Sequence, residues 1–134
     1  MTLTRRLVPA IIAAAGLAVD AYVHLDLAMN YDQNKTGTLS QGTLFRVEAA
    51  TAIVVAILVL LRPRRDTAVL VVAVAGSALA ALLIYRYIDV KAFGPFPSMY
   101  EPIWFAEKNW SGVGEAVAVL AGAGLFLMPA PAEV

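Results

Sequence analysis

The chain has 134 residues, 60 % of them apolar and only 15 % charged, with a formal net charge of zero, one histidine and no cysteine. So little charge excludes an ordinary soluble domain of this size, and the neutral balance offers no basic field for nucleic acid. Without cysteine there is no disulfide, thiolate metal site, covalent haem attachment or thiol–disulfide exchange, and a lone histidine excludes bis-histidine haem ligation within one chain.

Four apolar runs, at 7–27, 44–61, 67–85 and 112–128, are each about as long as the roughly 20 residues needed to cross bilayer hydrocarbon. Backbone groups in lipid have no water to bond, so each run is predicted to be a helix. The expectation is all-α: a four-transmembrane-helix bundle, one integral membrane domain, with outer loops at 28–43 and 86–111. Arg5 and Arg6 ahead of the first run also suit a signal peptide. No clean small-x-small cleavage site follows, however, and the run reads as a span.

The first span ends in "VDAYVHLDL", where Ile12, Gly16, Asp20 and His24 recur every four residues and so share a face. The loop after it, "DQNKTGTLSQGT", resembles an EF-hand calcium loop, with Asp32, Asn34 and Thr36 at the first three ligand positions. Thr43 stands where the bidentate Glu belongs, which favours a polar turn over a calcium site. Span two carries Glu48, Ala52 and Ala56 at the same four-residue spacing. It ends in the tight turn "RPRRD", whose Arg62, Arg64 and Arg65, like Arg5 and Arg6, point to the cytoplasmic side by the positive-inside rule. An even number of spans then puts both termini there. Gly76 and Ala80 form a small-residue pair on span three, and Gly114, Ala118 and Gly122 form a seam beside Glu115 on span four. Pro129 and Pro131 end the fourth span.

Eleven of the twelve aromatic residues fall at or beyond the outer ends of the spans, eight of them between Tyr85 and Trp110. A two-sided interfacial belt would be symmetric, so the cluster suggests an ordered outer cap or a docking face. Ser98 and Glu101 have capping-box spacing, and Met99, Ile103, Ala106 and Trp110 follow at helical intervals. They predict a short amphipathic helix lying at the interface. Tyr100, Trp104, Phe105 and Trp110 are the candidates for docking a neighbouring subunit, since Trp and Tyr anchor many interfaces. A lid over the bundle is the competing use.

Asp20, His24, Glu48, Arg86 and Glu115 all fall in the outer third of their spans, so four helices bring ionisable groups to about one level. One reading is a polar plug, in which Arg46 and Arg86 pair with the acids and fix helix register. The other is a site for a metal ion, a proton or a lipid headgroup. Imidazole with carboxylates suits Zn, Mn or Fe better than Cu(I). No second histidine, nucleophile elbow, phosphate loop or intraspan lysine is present, which argues against a hydrolase or transferase.

In span count, length and the polar end of span one at "VHL", the chain resembles small four-span membrane proteins of the DoxX-like type and, more loosely, four-span proteins of actinobacteria. That resemblance implies a bacterial plasma-membrane protein accessory to a larger respiratory or envelope complex. The expected function is a non-catalytic accessory or assembly subunit for lipid transport or respiration, with the bilayer and other membrane subunits as partners and no required cofactor. The alternative is an intramembrane binding or transfer protein using the outer polar cluster.

Overall fold

The computed structural model describes residues 3–129. Four helices make up the bundle: α1 (Leu3–Ala28), α2 (Gln41–Leu61), α3 (Arg65–Tyr87) and α4 (Ala106–Leu127), with a 3-10 turn at Met29–Tyr31. All four are long and apolar enough to cross a membrane, and the protein is a multi-pass helical membrane protein. Their outward faces carry exposed Leu, Ile and Val, the surface that lipid rather than water tolerates.

α1 packs extensively on both α2 and α4, and α3 packs on α4, whereas α2 and α3 touch far less. The buried interior is built mostly of small side chains, among them Ala10, Ala13, Ala52, Ala68 and Ala118. With no hydrophobic drive between helices in lipid, close packing of small residues is the main source of association. Along the spans, α1 and α4 approach closely at a pair of facing glycines. A Cβ added to Gly16 would stand 2.5 Å from the Gly114 carbonyl oxygen, and one added to Gly114 would stand 2.7 Å from that of Gly16. Gly122 instead meets Val71 and Val72 of α3.

The four-residue faces hold on α2 and α4, where Ala52, Ala56, Gly114, Ala118 and Gly122 are all buried, but not throughout on α1 and α3. Gly16 and Asp20 are buried, but Ile12 is 45 % exposed, and Ala80 is exposed on α3. A step of four residues advances about 40° beyond a full turn of a 3.6-residue helix. A stripe drawn over three such steps therefore swings out of the interface. The buried face of α3 runs instead through Thr67, Ala68, Val71 and Ala75.

At the arginine-rich end, Arg6 is 1 % exposed. Its guanidinium donates to the carbonyls of Pro63 (2.8 Å) and Pro129 (2.6 Å), tying α1, the α2–α3 turn and the end of α4 together. Arg65 donates to the Phe126 carbonyl at 3.0 Å, and the Thr67 hydroxyl bonds the Arg62 carbonyl within the turn. α4 ends at Leu127, before Pro129; Pro131 lies outside the described residues.

The second outer loop differs from expectation. Residues 97–105 carry no regular secondary structure, and no interfacial helix forms there; Ala106 and Trp110 belong to the first turns of α4. Pro97 and Pro102 are the physical reason. Each lacks an N–H and biases the preceding residue, Phe96 or Glu101, away from helical backbone. The side chains of the expected capping box go elsewhere: the Ser98 hydroxyl donates to the Val90 carbonyl (3.2 Å), and Glu101 accepts from Tyr31.

Candidate functional site

At the opposite end from Arg6, polar groups from three helices meet. Asp20 on α1 and Glu115 on α4 are both fully buried. Between them sits the Ser111 hydroxyl, 3.3 Å from Asp20 Oδ1 and 2.9 Å from Glu115 Oε2. It has one hydrogen and donates to one carboxylate at a time. One turn beyond Asp20, His24 turns Nδ1 towards three oxygens: the Asp20 carbonyl at 2.8 Å, Asp20 Oδ1 at 3.0 Å and Glu48 Oε2 at 3.1 Å. The ring stands edge-on to Phe45, with centroids 4.9 Å apart, which fixes its orientation. Asp20 Oδ2, Glu48 Oε1 and Glu115 Oε1 are buried without a hydrogen-bond partner.

The basic side chains do not neutralise these acids, contrary to the polar-plug pairing. Arg46 forms a two-pronged bond to Asp32, at 2.7 and 3.0 Å. The Arg86 guanidinium lies over the rings of Tyr87 (4.7 Å) and Trp104 (5.4 Å), and its Nε has no partner. Lys108 donates to the carbonyls of Glu101 (2.9 Å) and Ile103 (2.7 Å). Among the described residues, no Lys or Arg reaches Asp20, Glu48 or Glu115 within ion-pair distance.

Because α2 and α3 splay apart, a cavity of about 310 Å³ opens between them. His24, Glu48, Ser111 and Arg86 give it a polar end, and Val23, Leu27, Leu44, Ala78, Ala81 and Leu82 give it an apolar wall. Asp20 and Glu115 lie behind the polar end, and His24, Glu48 and Ser111 border both cavity and acid cluster.

The loops between α1 and α2 and between α3 and α4 roof this cavity as one cap. Leu39 N–H donates to the Pro95 carbonyl (3.0 Å), and the Asn34 amide donates to the Ser98 carbonyl (2.8 Å). The Tyr31 hydroxyl shares its proton between the Glu101 oxygens at 2.8 and 2.9 Å, and the Glu101 N–H donates to the Tyr85 carbonyl at 2.8 Å. Met99, Phe105 and Lys108 line the cavity from above.

The remaining candidates divide. Asp32 spends both oxygens on Arg46, whose guanidinium holds its carboxyl below the ordinary range. Asn34 turns its amide nitrogen to Gln41 (2.6 Å) and Ser98, and Thr36 is exposed. The calcium-like loop is therefore tied to protein groups and not shaped round an ion. Tyr100 and Trp104 lie in the 97–105 segment, which carries no helix. Phe105 faces the cavity, whereas Tyr100 (40 %), Trp104 (38 %) and Trp110 (63 %) are exposed, Trp104 with its ring against Arg86.

Ser111, Tyr31, Glu101 and Lys108 are the polar groups that sequence reasoning missed. Ser111 had a readable signal, since it stands one helical turn before Glu115. It fell outside the expected span because hydropathy drops there while the helix itself continues back to Ala106. No protein-family model matches the chain, and neither the curated proteins nor the solved structures contain a match.

Proposed function

We propose that this protein is a non-catalytic intramembrane binding or transfer protein of the plasma membrane, and that its ligand is a small amphiphile such as a lipid with a compact headgroup. The observation that supports this is the cavity between α2 and α3. Its volume of about 310 Å³ falls at the lower end of the range of small-molecule sites. Its apolar wall suits a hydrocarbon segment, and its polar end supplies an acceptor at Glu48 and a donor at Arg86. In this reading the arginine-rich end is cytoplasmic, both termini lie there, and the cap and cavity sit at the outer leaflet.

Filling the cavity tests it. In Ala78→Trp/Ala81→Trp the added rings occupy the apolar wall. Native mass spectrometry after gentle extraction is expected to show a retained amphiphile on the original protein and its loss from the filled variant, with helicity unchanged by circular dichroism. Equal retention by both would refute the assignment.

A second reading is favoured by exposed apolar side chains at this end of the bundle, Ile103 (69 %) in the cap and Trp110 (63 %) in the first turns of α4. They suit contact with another membrane subunit, which is the accessory role that the DoxX-like resemblance implies. Trp110→Ala is expected to weaken co-purification of such a subunit, since truncating a central Trp anchor costs about 2 kcal/mol or more.

A further inference from the structure

We infer that Asp20, His24 and Glu115, with Glu48 at the cavity side, form a binding site for one divalent transition-metal ion of the manganese, iron or zinc group. The inference goes beyond the amphiphile cavity. Its central ligands, Asp20 and Glu115, lie behind that cavity, and the two share only His24, Glu48 and Ser111.

Charge is the first ground. Three carboxylates and one imidazole meet where Asp20 and Glu115 have no exposed surface. No nearby guanidinium or ammonium among the described residues pairs with these acids: Arg46 is bound to Asp32, Lys108 to two carbonyls, and Arg86 lies over two aromatic rings. Buried carboxylates without a cationic partner are strongly disfavoured, so this cluster holds either extra protons or a bound cation.

Hydrogen bonding is the second and independent ground. His24 Nδ1–H and the Ser111 hydroxyl can provide one hydrogen each, for three carboxylates and a main-chain carbonyl. Asp20 Oδ2 and Glu115 Oε1 belong to fully buried side chains and have no partner at all. Orphaned buried acceptors are exceptional, and among the described residues no donor bonds either oxygen.

Geometry is the third. Donor atoms of Asp20, His24 and Glu115 all lie within 4.8 Å of one another. His24 Nδ1 stands 3.0 Å from Asp20 Oδ1 and 3.1 Å from Glu48 Oε2. Neighbouring ligands on an ion with bonds of about 2.1 Å are roughly 3.0–3.4 Å apart. A mixed carboxylate and imidazole set favours Mn²⁺, Fe²⁺ or Zn²⁺ over Ca²⁺ or Mg²⁺, which prefer oxygen alone, and over Cu(I), which prefers sulfur. Ser111 acts as a positioning residue, holding Asp20 and Glu115 at one spacing through its hydroxyl.

The test is Mn²⁺ titration of the chelator-stripped full chain in lipid nanodiscs. It is read by loss of the free-ion electron paramagnetic resonance signal and by metal content after desalting. One equivalent is expected on the original protein and is expected to be displaced by Zn²⁺. At least tenfold weaker binding is expected in both Asp20→Asn and Glu115→Gln, and unchanged binding in Asp32→Asn. If the buried substitutions do not fold, His24→Gln, at the cluster's half-buried edge, gives the same comparison. Absence of binding by the original protein, or equal binding by the site variants, overturns the inference and leaves protons as what neutralises the cluster. Because the readout is the ion, either result is independent of whether the cavity retains an amphiphile.

Discussion

Gly16→Ala adds one methyl group where α1 and α4 are closest. The new Cβ would stand 2.5 Å from the Gly114 oxygen and 3.0 Å from the Ala118 nitrogen, both backbone atoms that cannot swing aside. Real Cβ contacts respect about 3.0 Å, so the helices must part by at least the 0.5 Å between 2.5 and 3.0 Å. Overpacking of this kind costs about 1–3 kcal/mol. One turn further along α1, the Asp20 to Ser111 contact is already 3.3 Å. An opening of that size takes it out of hydrogen-bond range. Alanine also raises helix propensity by up to about 1 kcal/mol in water, so the clash must be separated from that gain. Gly124→Ala is the matched control, because a Cβ there meets nothing within 4 Å. Thermal unfolding of both variants in the same detergent is expected to place Gly16→Ala about 1–3 kcal/mol below Gly124→Ala. Equal stabilities would refute the view that this glycine contact sets the α1–α4 separation.

Arg6→Met removes two charged hydrogen bonds to carbonyls, at 2.8 and 2.6 Å, and is expected to destabilise the bundle by about 3 kcal/mol in the same unfolding measurement. Tyr31→Phe removes the hydroxyl that joins the 3-10 turn after α1 to Glu101 and is expected to cost about 1 kcal/mol, seen most directly as faster proteolysis of the loop between α3 and α4. The Asp32–Arg46 pair follows pH with a definite sign. Arg46 lowers the Asp32 carboxyl below its unfolded value, so the pair's contribution is complete above about pH 4. It is lost as pH falls through the lowered value. Cleavage of the first outer loop should therefore quicken in acid in the original protein and not in Asp32→Asn. The absence of native cysteine allows an orientation test. Thr38→Cys in the cap is expected to react with an impermeant thiol reagent in intact cells, and Asp66→Cys only after permeabilisation; the reverse pattern would invert the proposed topology.

Four apolar runs were enough to identify four helices, because a chain in lipid must satisfy its backbone within each segment and has no other way to cross. Helical periodicity likewise brought Asp20 and His24 within one turn, and small residues marked the close approach of Gly16 and Gly114. These features depend on neighbours in sequence or on the solvent, so they are written locally. The cation pairings are not. Arg46 lies two residues from Glu48 yet bonds Asp32, and Arg86 stacks on Tyr87 and Trp104. Such choices depend on how far apart whole helices stand. The cavity follows from the splay of α2 from α3, which is a sum of packing over α1 and α4 and has no signature in either helix alone. The conformation of the cap is non-local for a related reason. Capping-box spacing at Ser98 and Glu101 was outweighed by Pro97 and Pro102, and by the partners that Val90 and Tyr31 present only once the bundle has formed.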